Sequence, residues 1–188
     1  MPVLDLGEGF EFRHLLIAGI RPKDPGAFLE AIKAISSLPG VSAQLLDAKS
    51  VAGQEHVATA ALLAARAWSE KRNTSHTPAT EVLLYASGKR QIKEAIAGFG
   101  VTAHSKGWVV IALSSSPSKL AALSNKLGKI GTTDNTLVEL TGDKVATIIE
   151  KFGISKEEIS AVEPLFGSTL KALQSLVMER VAISEVYR

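Results

Sequence analysis

FEFRHLLIAGIRPKDPGAFLEAIKAISSLPGVSAQLLDA, residues 10–48, contains three successive patterns that set the fold class. Residues 10–20 are rich in β-branched, aromatic and aliphatic side chains, and the run stops at Arg21-Pro22, so it predicts a strand. Asp24-Pro25 then offers a side-chain cap followed by proline at the first helical position. Phe28, Ala31, Ile32 and Ile35 follow at i, i+3, i+4 and i+7, which gives a helix with one buried face ending before Pro39-Gly40. Residues 41–48 alternate into a second strand. A strand, a helix and a strand in this order predict an α/β (α+β) domain, with a small central β-sheet packed by several helices. No repeat, low-complexity run or linker interrupts the chain, so residues 1–188 are expected to form a single domain.

Composition narrows the function. The 188 residues are 46% hydrophobic and 21% charged, enough for one sizeable core. There is no cysteine, so disulfides, thiolate metal sites and cysteine nucleophiles are excluded. The net charge of +2 provides no global field for nucleic acid, and any such contact must come from a local patch. The amino-terminal stretch is acidic and lacks a signal-peptide pattern, and the apolar runs LLIAGI and VVIAL are far too short to span a membrane. A soluble, cytoplasmic protein is the expectation.

Further along, period and composition predict a long helix over about 51–72, small-sided through Ala58, Ala60, Ala61, Ala64, Ala65 and Ala67, with Lys71 and Arg72 in its last turn. Thr77-Pro78 repeats the cap-then-proline signal, so EVLLYA (81–86) reads as a short buried helix, although its composition also suits a strand. Gly88 ends it, and a helix follows from about Lys89 to Gly98, closed by Gly100. Residues 108–113 read as a core strand, 114–128 as a polar loop and helix, 132–136 as a loop, and LVELTG (137–142) as a short edge strand. Two short helices and a long one, capped by Ser168 and running to about Tyr187, complete the chain.

The stretch EVLLYASGKRQIKEAI (81–96) invites a phosphate-loop reading, and spacing removes it. Leu83 stands where the first P-loop glycine belongs, and Arg90 where the magnesium-binding hydroxyl belongs. Lys89 and Arg90 then fall in the first turn of a helix, where the dipole disfavours each cation by about 0.3–1 kcal/mol. Two readings stay open: the pair faces an anion together with the free N–H groups of the helix end, or both side chains fan into solvent. His56 falls on the long helix on the side of Thr59, Leu63 and Arg66. None of His14, His56, His76 and His104 has a partner at metal-ligand spacing, and the serine-rich SSSPS lacks the flanks of a nucleophile elbow. No catalytic set, metal or cofactor is expected. Trp68 reads as either a base-stacking or a core residue. On the last helix, Leu170, Leu173, Val177 and Val181 form an apolar stripe widened by Leu176 and Ile183, which reads either as core or as a partner-docking face.

QLLDAKSVAGQEHVATAALLAARAW followed by TEVLLYASGKRQIKEAIAGFGV resembles the signature of the small kinase-binding accessory subunit of the KEOPS complex. The similarity covers about residues 11–115, with a core of E-x-L-L-Y-A-S-G-x-R-Q-I-x-x-A-I and an upstream G-x-x-H. It implies a non-catalytic subunit of the complex that places threonylcarbamoyl on the adenosine beside the tRNA anticodon. The implied partners are a small Bud-type atypical kinase/ATPase and, through it, the threonylcarbamoyl transferase and a small dimerising subunit. Archaeal members also grip the single-stranded 3′ CCA end of tRNA, and the presence of His56 and of Gly88-Lys89-Arg90-Gln91 fits that version. A CCA end is recognised by stacking, edge hydrogen bonds and a few cations, which a +2 protein can supply. On this resemblance Lys89 and Arg90 are assigned to phosphates, Gln91 and His56 to base or sugar edges, and Arg21 and Asn73 to flanking contacts. Glu81 and Tyr85 also match, and for Glu81 a buried loop anchor and an RNA contact stay open. The stripe Leu170, Leu173, Val177 and Val181 is the expected kinase contact. The alternatives are a small-molecule or nucleotide-binding enzyme using 88–91 as its anion site, and an interaction module without RNA binding.

Overall fold

The computed structural model describes residues 3–186. Among them, five strands form one antiparallel sheet and eight α-helices cover it, an α+β architecture. The strands are β1 (Val3–Asp5), β2 (His14–Pro22), β3 (Val41–Asp47), β4 (Trp108–Ser114) and β5 (Gly131–Thr133). The spatial order is β1-β2-β4-β3, and β5 joins the free end of β2 beyond β1. Thus β2, helix α1 (Pro25–Ser36) and β3 make the crossover expected from residues 10–48, but β4 slots between the two strands and pairs with both.

Each face of the sheet is apolar because residues alternate along every strand. Leu16, Ala18, Ile20, Val41, Ala43, Leu45, Val110 and Ala112 pack under α1 and α5 (Pro117–Ile130). On this side the Phe28 ring meets Trp108 edge-on at 5.4 Å. Leu15, Leu46, Val109, Ile111 and Leu113 face the larger helical layer. That layer holds α2 (Gln54–Ser69), α3 (Pro78–Ser87), α4 (Ile92–Phe99), α6 (Val145–Phe152), α7 (Lys156–Phe166) and α8 (Thr169–Val186). The buried alanines Ala60, Ala61, Ala64, Ala65 and Ala67 let α3 approach α2 closely, as their small size implies.

The proline-marked helix starts are as expected. Asp24 accepts the N–H groups of Gly26 and Ala27 at 2.9 and 3.1 Å, and Thr77 accepts that of Thr80 at 3.1 Å. EVLLYA is helical and its residues are all buried within α3. Several boundaries differ from expectation. The first long strand starts at His14, since residues 10–13 form a turn. The long helix begins at Gln54, after a 3₁₀ turn at Ala48–Ser50, and ends at Ser69. Lys71 and Arg72 therefore lie beyond it, with Lys71 at φ 57°. Residues 137–142 are no strand: Asn135–Leu137 and Gly142–Lys144 are 3₁₀ turns, because the Leu137 and Glu139 carbonyls converge on the Lys144 ammonium at 2.7 Å each. The edge strand comes instead from Gly131–Thr133, overlapping the start of the loop expected over 132–136. The expected end of the last helix at Tyr187 lies outside the described residues.

Candidate nucleic-acid interface

Helix α3 delivers the basic stretch. Only Thr80 of its residues escapes full burial, so the helix is held by α2, α4, α8 and the sheet. It ends at Gly88 in the left-handed conformation, φ 62°, which costs glycine little and other residues more. The Gly88 N–H donates to the Tyr85 carbonyl at 3.0 Å. Ser87 Oγ donates to the Leu84 carbonyl at 3.0 Å and accepts the Lys89 N–H at 3.2 Å. A Cβ on Gly88 would lie 3.8 Å from the Arg180 carbonyl oxygen, so the turn packs directly on the backbone of α8.

Lys89 is half-buried, and Arg90 and Gln91 are exposed. Helix α4 starts at Ile92 with Gln91 as its cap residue, three residues later than expected. Lys89 and Arg90 thus precede the helix, and the dipole argument made for a first-turn position does not apply to them. The left-handed exit at Gly88 is the reason, since it turns the chain before a new helix can begin.

His56 is not at the surface. It is fully buried, its Nδ1 accepts the Ala52 N–H at 3.1 Å, and its Nε2–H donates to the Ala86 carbonyl at 2.8 Å. Burial takes its pKa down to about 4; the Ala86 hydrogen bond works in the opposite direction, and the nearby Lys144 ammonium adds to the lowering. The expected contact of His56 with a base or sugar edge is therefore corrected. Both ring nitrogens are used internally, and the histidine fixes the last turn of α3.

Arg21 lies in β2 rather than a loop, pairs with Asp134 at 2.9 Å and donates to the Lys106 carbonyl at 3.3 Å. Asn73 donates to the Ser75 carbonyl at 2.9 Å and borders a separate recess beside Trp68, Lys71 and Glu11. Neither lines the recess at the 87–90 turn. Trp68 is partly buried against the core. Glu81 is the loop anchor: its carboxylate accepts the Thr74 and Ser75 N–H groups at 3.1 and 2.8 Å.

Two cations that no motif singled out stand beside the turn. Lys89, Arg90, Lys151 of α6 and Arg180 of α8 line one recess of about 270 Å³, with Phe152 and Ile183 as its apolar lining. Lys151 Nζ donates to the Gly98 carbonyl and lies 5.2 Å from the centre of the Phe99 ring. Arg180 pairs with Glu158. Sequence reading missed both because they converge only when α3, α6 and α8 pack together.

The expected docking stripe is corrected as well. Leu173, Val177 and Val181 are completely buried against the α2, α3 and α6 layer, while Leu170 remains 37% exposed. The apolar surface near the start of α8 is instead Leu165, Phe166 and Leu170, around the turn from α7.

An antiparallel sheet carrying a rigid helical face, with a basic turn set beside a recess, defines a small binding module on an α+β scaffold. The family model for kinase binding protein CGI-121 matches residues 27–185, and the chain belongs to this family of kinase-binding, non-catalytic KEOPS accessory subunits. The match continues through α8, well past residue 115 where the motif resemblance ends. No curated protein matches the chain. Among the described residues no helix is long and apolar enough to cross a membrane.

Proposed function

We propose that this kinase-binding subunit recruits tRNA by its 3′ CCA end for threonylcarbamoylation of the anticodon-adjacent adenosine, as archaeal members of the family do. The observation that supports this reading is the 87–91 turn. A buried helix projects Lys89 and Arg90 onto one recess, with the exposed Gln91 next along the chain, and a few local cations can serve unpaired nucleotides without a broad basic surface. In this reading Lys89 and Arg90 meet phosphates and Gln91 meets a base or sugar edge. His56 acts from below by holding the turn. The kinase is of the small Bud type, and through it the subunit reaches the transferase and the dimerising subunit. The whole of 1–188 acts as one domain. The kinase docks on the exposed apolar turn of Leu165, Phe166 and Leu170.

The test compares binding of intact tRNA with tRNA trimmed of its CCA end, for wild type and for the Lys89→Ala, Arg90→Ala double variant. The reading expects loss with the trimmed tRNA and with the double variant. Equal binding of both tRNAs by the wild type overturns it.

A further inference from the structure

We propose that the groove between the end of α1 and α5 docks an acidic amphipathic helix of a second protein partner, distinct from the kinase. The groove lies on the side of the sheet opposite the helical layer that carries the 87–91 turn and the α7–α8 turn. Its separateness from the kinase rests on the docking of the kinase at Leu165, Phe166 and Leu170; the groove itself rests on geometry and charge.

The groove has a volume of about 410 Å³. Ile35, Leu38, Val41 and Leu123 supply its apolar lining, and no aromatic ring lines it. Ile35, Val41 and Leu123 belong to the core beneath, whereas Leu38 is 55% exposed. Leu38 is held in place by its backbone: its N–H donates to the Ile35 carbonyl at 3.0 Å, and its carbonyl accepts the Val41 N–H at 3.3 Å. One exposed leucine is ordinary on a protein surface. A leucine fixed in an apolar slot between two lysines is a ready anchor for another apolar side chain.

The lysines define the partner. Lys119, Leu123 and Lys126 fall at i, i+4 and i+7 on one stripe of α5, so the two cations are separated by about 10 Å of helical rise. Both are exposed. Lys119 Nζ donates to the Pro39 carbonyl at 2.6 Å, which ties it to the rim without neutralising it. No carboxylate forms an ion pair with either lysine among the described residues. Residues 31–46 and 95–133 contain no aspartate or glutamate, so the segments that build the groove bring no compensating charge. In a chain of net charge +2 this is a local positive rim around an apolar slot. A helix with carboxylates at i and i+7 and apolar residues at i+3 and i+4 is its complement. The apolar pair covers Leu38 and Leu123 while the carboxylates meet Lys119 and Lys126. Lys119 stands in the first turn of α5, where the helix dipole adds to its attraction for a carboxylate. Single-stranded RNA fits less well, because the groove offers no ring on which a base could stack.

The probe is a fluorescent alanine-based helical peptide with glutamates at i and i+7 and leucines at i+3 and i+4, titrated against the full chain. A peptide with lysines in place of both glutamates and a single-stranded oligouridine are the parallel ligands. Leu38→Ser is expected to weaken the acidic peptide about tenfold. The Lys119→Glu, Lys126→Glu double variant is expected to weaken it about tenfold and to bind the lysine peptide instead. Thermal melting checks that each variant is folded; if the double variant is not, Lys126→Glu and Leu38→Ser carry the test. tRNA binding and kinase co-elution are expected to be unchanged in these variants, and Lys89→Ala, Arg90→Ala to leave peptide binding unchanged. The acidic helix is overturned if the acidic peptide does not bind the wild type, or if the charge reversal fails to exchange the preference between the two peptides. Oligouridine binding that is lost in the same variants overturns it in favour of RNA. Loss of kinase co-elution in Leu38→Ser overturns the second partner and moves the kinase to this groove, whereas its retention with loss of peptide binding supports two separate interfaces.

Discussion

His56 and Ala86 are joined by a buried 2.8 Å hydrogen bond that ties helix α2 to the last turn of α3, one residue before the basic segment begins. The same ring accepts the Ala52 N–H, so protonation would cost an acceptor as well as a desolvated charge. A pKa lowered from 6.5 to about 4 means that the unfolded state binds the extra proton first. Stability from this group is complete above pH 6.5 and is lost as pH falls toward 4, by roughly 3 kcal/mol in all. Urea denaturation across that range should show the loss, and His56→Gln should flatten it. An unchanged slope in the variant would assign the acid sensitivity to other groups.

Removing the Glu81 carboxylate leaves the Thr74 and Ser75 N–H groups without their acceptor. Glu81→Ala should cost about 1–3 kcal/mol in denaturant unfolding. Faster hydrogen exchange at residues 73–77 should accompany it if the carboxylate anchors that loop.

The buried face of α8 and the exposed end of α7 should respond oppositely. Leu173→Ala, at a fully buried position, should cost about 2–5 kcal/mol. Leu165→Ser, at a position 80% exposed, should change stability by no more than about 0.5 kcal/mol. Co-elution with the kinase should then fall for Leu165→Ser with Phe166→Ser while both variants remain folded. Undiminished co-elution would place the docking surface elsewhere. Charged substitutions at Leu173 and Val177 cannot report on docking, because they disrupt the core.

Gly19 in β2 is set by close approach. A Cβ there would clash with the Asp134 carbonyl oxygen, while Asp134 N–H donates to the Gly19 carbonyl at 2.9 Å. Gly19→Ala should therefore destabilise by about 1–3 kcal/mol, read as a lowered melting temperature. A neutral result would mean that the 134–137 turn yields easily.

The parts legible in sequence were those with local causes. Asp24-Pro25 and Thr77-Pro78 mark helix starts through their own chemistry, and the alternation in residues 41–47 marks a strand. Gly88 marks the end of α3 because the chain must turn there. The three-residue strands β1 and β5 escaped notice since pairing with β2, not their own pattern, makes them strands. LVELTG reads like a strand, but Lys144, a few residues further on, draws two of its carbonyls together and curls it. At the site, Lys89, Arg90 and Gln91 were visible as a local basic run. His56 was assigned to the wrong environment because its partners, Ala52 and Ala86, flank it from different segments. Lys151 and Arg180 were unremarkable cations until three helices brought them together.

The contact between Gly88 and the Arg180 backbone has a consequence for synthesis. The turn emerges from the ribosome long before the helix on which it rests. Until α8 has left the exit tunnel and docked, the recess lacks one wall and the turn lacks its backing. The Ser-Gly-Lys-Arg-Gln turn thus takes its final shape only at the completion of the fold.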